Sequence, residues 1–357
     1  MNNIFLKKSI ANPETVILRP FFYTKPSVRA SVLGQIFLLF LQLAALFLTK
    51  SYSALLVIGC AVLATIASEF VNIKKYKRHH DSLAICIAQG LFVGMFLPES
   101  FPLLAVFCIT FFTFVIIKNA FVSFSGTWAN PVAVTVAIAY FTASSYFPVF
   151  LFDRPMIETV NIGSYLYQNE ILTPLPIDFS LTTLVNEKFF NKFGISLPIG
   201  YLTLLIDNGS IIPAFRFNLL TIVSSIILFS LDMITAIIPI ASILTYLLFV
   251  KVIGFFVLGG QMLQGDMFLA LCTSGVAFCS LFVLTWYGTI PYTTSGRLFY
   301  GILCGVVFYV IVGCAFSASG CMFSVLIANV LSPFIQMIEN RRINKDVSKM
   351  MEVCNAK

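Results

Sequence analysis

The chain has 357 residues, of which 59% are hydrophobic and 10% are charged, and its formal net charge is +7. A soluble domain carries about 25% charged residues, so this composition excludes a soluble globular protein and predicts an all-α polytopic membrane protein. The positive charge does not indicate nucleic-acid binding, because the basic residues lie between the apolar stretches, where such residues orient membrane spans.

Ten apolar segments follow one another along the chain, and each reaches or approaches the roughly 20 residues that a helix needs to cross a bilayer. They lie at residues 30–49, 52–72, 82–97, 101–118, 130–146, 215–231, 234–258, 265–285, 297–315 and 320–338. If every segment crosses, 16 of the 22 Lys and Arg residues fall on one side and six on the other. Because basic residues favour the cytoplasm, we expect cytoplasmic tails at 1–29 and 339–357.

One long connection, residues 147–214, separates the segments into two groups of five, at 30–146 and 215–338. In this topology the connection lies outside the cytoplasm. Because five is an odd number, the two groups have opposite orientations in the membrane, which is the arrangement of an inverted repeat. The sequence therefore predicts about ten transmembrane helices in two inverted five-helix repeats.

The last segment of each group contains an interruption. In the first group, "SGTWANPVAV" (125–134) places Gly126, Asn130 and Pro131 between two apolar segments. Asn favours the N-cap of a helix and Pro its first turn, so we expect a loop that dips into the membrane and starts a half-helix. A plain loop between two spans is the alternative. We expect a similar interruption in "ASGCMFSVLIANVLSPF" (318–334), which also contains a Gly, an Asn and a Pro.

The nine cysteines do not form a metal-site pattern. Eight lie in apolar segments, no Cys-x-x-Cys pair is present, and the imidazoles of the chain are those of His79 and His80. Cysteine is frequently a small buried apolar residue, so we expect packing rather than a metal or iron–sulfur site. No phosphate-binding loop or nucleophile–base motif points to a hydrolase or transferase.

The chain resembles two related membrane subunits in four stretches that occur in the same order. The stretches are "GLFVGMFLPESFP" (90–102), "KNAFVSFSGTWANPVAV" (118–134), "TIPYTTSGRLFYGILCGVVFYVI" (289–311) and "GCMFSVLIANVLSPF" (320–334). They look like the D subunit of Rnf ion-translocating electron-transport complexes and the B subunit of the sodium-translocating NADH:quinone reductase. The resemblance implies a flavin subunit in the bacterial inner membrane, surrounded by lipid and by other membrane subunits. Such a subunit passes electrons while Na⁺ or H⁺ is moved.

The resemblance also implies a place for FMN. These families attach FMN through a phosphodiester to a Thr of the outer connection that precedes Pro-Leu. In "NEILTPL" (169–175), Thr173 occupies the matching place before Pro174, but the residues before it differ from the family motif. Covalent FMN at Thr173, FMN or riboflavin held without a covalent bond, and a flavin that has been lost are the alternatives. Without a flavin, Thr173 is a turn residue before Pro.

Several charged residues of the family pattern are replaced here. Trp286 and Tyr287 stand where the families have Asp-Pro, Val136 replaces an Arg, and Gln336 replaces an acid. A buried charge in a membrane is normally kept for function. The resemblance therefore implies altered flavin or ion handling, in a degenerate paralogue or a fast-evolving lineage.

The residues beside the interruptions are the candidates for flavin contacts, because a flavin needs an aromatic or small-residue slot with a few hydrogen-bonding groups. These candidates are Trp128, Asn130, Lys118, Thr285 and Thr289. Trp side chains equally belong to interfacial belts, and a Lys at a span end also extends toward lipid head groups. Asp81 and Asp266 are candidates for a cation path, since hard cations prefer oxygen ligands; solvated helix caps are the other interpretation.

Three functions remain open at this point. The first is a flavin-bearing redox subunit, and the second is a small-solute transporter or channel, because inverted repeats with broken helices are a transporter architecture. The third is a scaffold subunit without flavin. No dinucleotide-binding fingerprint is present, so the chain is expected to be part of an oxidoreductase rather than a complete one.

Overall fold

The computed structural model describes residues 26–76, 81–120, 129–147, 175–194, 196–254, 263, 265–314 and 317–355. These residues form helices joined by turns, and no strand occurs among them. The prediction of an all-α protein is therefore confirmed for the described part of the chain.

The first group of predicted segments is occupied by five helices. They are α1 (Val28–Leu48), α2 (Tyr52–Tyr76), α3 (Asp81–Phe96), α4 (Leu103–Ala120) and α5 (Pro131–Thr142). The first begins where the Ser27 side chain accepts a hydrogen bond from the Ala30 N–H (3.2 Å), as expected for an N-cap residue.

The described part of the long connection is also helical. It contains α6 (Pro176–Lys188), a 3₁₀ turn at Phe190–Phe193 and the short α7 (Tyr201–Ile206). The carboxylate of Asp178 joins these elements, because it accepts hydrogen bonds from the N–H groups of Gly200 and Thr203, both 3.1 Å.

The second group of predicted segments follows. It contains α8 (Asn218–Ser230), α9 (Ile237–Val252), α10 (Met267–Ser274), α11 (Thr294–Phe308) and α12 (Gly320–Asn355). Between α10 and α11, a turn at Val276–Phe278 leads into a π-helical turn at Cys279–Val283. A second π-helical turn at Tyr309–Cys314 extends α11.

Four of the described helical stretches are long and apolar enough to cross a membrane, and they are Val28–Leu48, Tyr52–Val71, Thr294–Cys314 and Gly320–Lys345. Five shorter apolar helices of 10–17 residues accompany them, including α5, α8 and α9. The protein is therefore a helical membrane protein, while the count of ten crossings stays a prediction.

Small residues set the closest helix contacts. A Cβ at Gly94 of α3 would lie 2.5 Å from Ile58 Cα on α2, and a Cβ at Gly305 of α11 would lie 2.6 Å from Ser242 O on α9. Each belongs to a Gly-x-x-x-Gly pair, with Gly90 and Gly301 respectively. This spacing puts two glycines on one helix face and lets backbones approach in a membrane, where packing drives association.

The interruption predicted at 318–334 is wrong in its position. After a turn at 318–319, α12 runs unbroken from Gly320 through Asn329 and Pro333. A Pro inside a membrane helix removes one hydrogen bond, and neighbouring elements allow the helix to continue. The break of the second group instead follows Ser274, within the segment that the sequence predicted as one span.

Candidate functional site

The first break is built around Asn130. Its Oδ1 accepts a hydrogen bond from the Val132 N–H (3.0 Å), and Pro131 occupies the first turn of α5. The expected N-cap is therefore confirmed. The same side chain is 1% exposed, and its Nδ2 donates to the carbonyl of Val283 (3.1 Å). Asn130 thus ties the start of α5 to the π-helical turn of the second group.

The second break is enforced by Gly275, whose φ is +66°. This left-handed conformation favours Gly, and a Cβ there would lie 2.0 Å from the ring of Phe215. The break leaves backbone carbonyls of α10 without helical donors. The Cys272 carbonyl instead accepts hydrogen bonds from the side chains of Asn208 (3.0 Å) and Asn218 (2.8 Å). These partners come from outside the helix and stabilise the break.

One face of α12 holds the irregular chain that follows. Ser332 Oγ donates to the Thr289 carbonyl, and Gln336 Nε2 donates to the Ile290 carbonyl (3.2 Å). One turn further, the buried carboxylate of Glu339 accepts from the N–H groups of Tyr292 (2.9 Å) and Thr293 (3.1 Å). These contacts replace the backbone hydrogen bonds that a regular helix would supply.

Two buried polar side chains, one in the π-helical turn and one on α12, lack a hydrogen-bond partner among the described residues. Asn329 is 1% exposed, and neither its Oδ1 nor its Nδ2 has a hydrogen-bond partner among the described residues; the same holds for Ser280 Oγ. Pro333 has no N–H, so the Asn329 carbonyl also lacks its helical donor. An unsatisfied buried group costs about 1–3 kcal/mol, which favours a water, ion or ligand at this position.

Helical spacing puts Asn329 on the same face of α12 as Ser332 and Gln336, toward the irregular chain. We call Asn130, Ser280, Asn329 and Ser332 the polar seam. Its members come from both groups of helices, since Asn130 precedes α5 and the others belong to the second group. The polar seam is the candidate functional site.

The two predicted threonines lie next to the polar seam, but their hydroxyl hydrogens are already used. Thr285 Oγ1 donates to the Leu281 carbonyl (2.5 Å) and Thr289 Oγ1 to the Trp286 carbonyl (3.1 Å). Their oxygens can still accept a hydrogen bond. Trp286 itself is buried and packs edge-on against Phe92, with ring centroids 5.9 Å apart, so it belongs to the core rather than to an interfacial belt.

The structure places Asp266 away from the polar seam. Its Oδ1 caps α10 by accepting from the N–H groups of Phe268 (2.8 Å) and Leu269 (3.0 Å), and Tyr201 donates its hydroxyl to Oδ2. Burial and the neighbouring Asp266 raise the pKa of Tyr201 above its usual range. The helix-cap interpretation of Asp266 is confirmed, and a role in a cation path is untested.

Four other predicted site residues cannot be placed. Thr173 and Trp128 lie outside the described residues, and so do the side chains of Lys118 and Asp81. Among the described residues, no group of three or more His, Cys, Asp or Glu side chains could hold a metal ion.

Sequence reasoning missed two buried acids, Glu339 and Glu69. Glu69 lies inside α2 and is 1% exposed. An acid within a membrane helix is by default a candidate for function, so its position inside an apolar segment was the signal. Glu339 gave a weaker signal, because it lies at the end of the last predicted span, where a solvated acid is common.

Comparison with known proteins gives two matches. The model of the NQR2, RnfD, RnfE family matches residues 15–345, nearly the whole chain. The D subunit of the Na⁺-translocating ferredoxin:NAD⁺ oxidoreductase complex of Acetobacterium woodii is 31% identical over 78 residues, which cover 22% of this chain and 24% of that protein. The matched segment is thus about a quarter of that relative.

Proposed function

Because the chain belongs to the NQR2, RnfD, RnfE family, we propose that it is a membrane subunit of an Rnf/Nqr-type ion-translocating oxidoreductase complex. In this role it binds a flavin, passes electrons to other membrane subunits, and takes part in moving Na⁺ or H⁺ across the bacterial inner membrane. The observation that carries the proposal is the polar seam, where Asn130 of the first group bonds to the π-helical turn of the second and where Ser280 and Asn329 of the second group keep buried polar atoms without a described partner.

The proposal includes ten crossings in two inverted groups with cytoplasmic termini. Contacts between counterpart helices support it. The first helices meet where Gln42 Nε2 donates to Thr221 Oγ1 (3.1 Å).

The third predicted segments meet through Phe92 on α3 and Phe282 in the π-helical turn, with ring centroids 5.7 Å apart. The fifth helices meet through Tyr140 and Phe323, also 5.7 Å. Elements that lie close to a two-fold axis touch their own counterparts, so these three contacts agree with such an axis between the groups.

The coupling ion is proposed to pass the polar seam. Oxygen ligands suit a hard cation, and transporters use unwound carbonyls for this purpose. The Asn329 side-chain oxygen and Ser280 Oγ are the proposed ion contacts, because neither has a hydrogen-bond partner among the described residues. The Asn329 carbonyl adds a third, because Pro333 cannot supply its helical donor. If the coupling ion is H⁺, a hydrogen-bonded chain of water molecules would contact the same groups.

FMN is the proposed cofactor, attached at Thr173 or held without a covalent bond, with riboflavin as the other flavin. When bound, a flavin supplies one- and two-electron transfer. The chain just after Thr173 is fixed in place, since the Leu175 N–H donates to Thr203 Oγ1 (3.2 Å) and α6 starts at Pro176. The Asn329 amide and the hydroxyl oxygens of Thr285 and Thr289 are the groups proposed to hydrogen-bond the polar edge of a non-covalent flavin.

The test is flavin fluorescence of the protein band on a denaturing gel, together with absorbance before denaturation. We expect a fluorescent band that Thr173→Ala abolishes, which marks covalent FMN. Absorbance at the flavin maxima without a fluorescent band would mean a non-covalent flavin. A preparation with partner subunits intact and neither signal would overturn the flavin proposal and favour a scaffold or a solute transporter.

A further inference from the structure

The connection between the two groups carries an exposed apolar surface that the proposed redox function does not use. Ile177, Leu181 and Leu184 follow the i, i+4, i+7 spacing of one helix face on α6, and all three are exposed. The chain after α6 adds Phe189 and Phe193, which are 67% and 76% exposed. We call these five residues the outer apolar stripe.

The orientation of α6 is fixed by its other face. The buried carboxylate of Asp178 accepts hydrogen bonds from the N–H groups of Gly200 and Thr203, both 3.1 Å, which lie outside α6. Near the end of α6, Asn186 exchanges two hydrogen bonds with the backbone of Leu197, at 2.8 and 2.9 Å. The outer apolar stripe therefore cannot turn inward without breaking these bonds.

The position of α6 brings the stripe close to the ends of the membrane helices. It packs on α7, which in turn packs on α8 and α10. Tyr201 of α7 lies against Phe268 at the start of α10, with ring centroids 5.4 Å apart. Phe268 and the adjacent Met267 are themselves exposed, so exposed apolar side chains also lie at the start of α10, next to α7.

Charge indicates what covers the stripe. Exposed Lys188 and Lys192 flank the two phenylalanines, and Glu187 is the one exposed acid described in the segment from 176 to 194. Apolar residues beside lysines are the pattern of segments that lie in the head-group region, attracted by anionic lipid. Moving a large apolar side chain out of water is favourable, so insertion of several such residues is favourable.

We propose that the outer apolar stripe inserts into the head-group region of the bilayer and binds anionic phospholipid. The connection is then a membrane-anchored platform rather than a segment free in solvent. This inference requires only a membrane-embedded chain and stands or fails independently of any flavin.

The test uses the full-length protein, with Cys354→Ser to remove the thiol of the C-terminal tail, in nanodiscs that contain phosphatidylglycerol. Leu184→Cys is labelled with an environment-sensitive fluorophore and compared with Thr183→Cys. Thr183 is the neighbouring exposed residue, and its hydroxyl bonds only to carbonyls of α6. We expect a blue-shifted emission at position 184 that head-group spin-labelled lipid quenches severalfold more strongly than the emission at position 183.

A second variant measures the role of charge. Lys188→Glu combined with Lys192→Glu, in the Leu184→Cys background, should reduce that quenching severalfold in phosphatidylglycerol and change it little in phosphatidylcholine. Equal emission and quenching at 183 and 184 would overturn the proposal. A blue shift at 184 that appears only when partner subunits are present, with no lipid quenching, would overturn it in favour of a protein contact.

Discussion

Asn130 and Asn329 are both buried asparagines, but their amide groups have opposite surroundings. Asn130 uses both ends of its amide, to cap α5 and to bind the Val283 carbonyl. Asn329 uses neither end among the described residues. Since a buried amide stabilises a fold only when it is paired, Asn130 is a structural link between the two groups, while Asn329 is retained at a cost in stability.

The same substitution at the two positions should therefore have opposite effects. Asn130→Leu removes a cap worth about 1 kcal/mol and leaves the Val283 carbonyl unpaired, so we expect a lower midpoint of thermal unfolding in detergent. Asn329→Leu removes two unpaired polar atoms, so we expect an equal or higher midpoint together with loss of ion-dependent activity of the assembled complex. An Asn329→Leu complex with unchanged ion dependence would contradict the role proposed for the polar seam.

Individual residues also show which features of the fold were predictable from the sequence. Asn130-Pro131 predicted a helix start correctly, because an N-cap and a first-turn Pro act through local geometry. The pairing of Asn130 with Val283 was not predictable, since it joins residues 153 positions apart. Asn329 and Pro333 suggested a break that does not exist, because packing decides whether a helix continues past a proline.

At the scale of elements, two close helix pairs carry much of the packing. The α2–α3 and α9–α11 contacts both rely on glycines that face a partner backbone. The apolar periodicity of these segments predicted the helices, and each predicted segment overlaps a described helix. Which glycine faces a partner and which faces lipid was not predictable, because a single helix sequence contains no information on its neighbour.

Glycine substitutions should distinguish a glycine that faces a partner helix from one that does not. Gly305→Ala would place a methyl group 2.6 Å from Ser242 O and Thr245 Cβ, so α9 and α11 must move apart. Because such overpacking typically costs about 1–3 kcal/mol, the midpoint of thermal unfolding should fall. Gly59→Ala on α2 is the matched control, because nothing lies within 4 Å of its Cβ position. Ala gains up to about 1 kcal/mol of helix propensity there, so the midpoint should hold or rise. Equal losses in both variants would show that the α9–α11 contact is not as close as described.

At the scale of the whole molecule, three pairs of counterpart segments touch, and the polar seam includes the bond from the start of α5 to the π-helical turn. A site at such a boundary is sensitive to a relative movement of the groups, because Asn130 belongs to one group and its acceptor Val283 to the other. The inverted arrangement of the two groups depends on an odd number of crossings in each group.

The number of crossings can be measured directly with two cysteine variants in the Cys354→Ser background. Thr183 lies in the connection and Ser348 in the exposed end of α12, so five crossings between them must put the two positions on opposite sides of the membrane. We expect a membrane-impermeant maleimide to label Thr183→Cys in intact cells and Ser348→Cys only after permeabilisation, since 16 basic residues favour the cytoplasmic side. Labelling of both positions from the same side would require an even number of crossings in the second group. The two groups would then not be inverted, and the contacts between counterpart helices would need another origin than a two-fold axis.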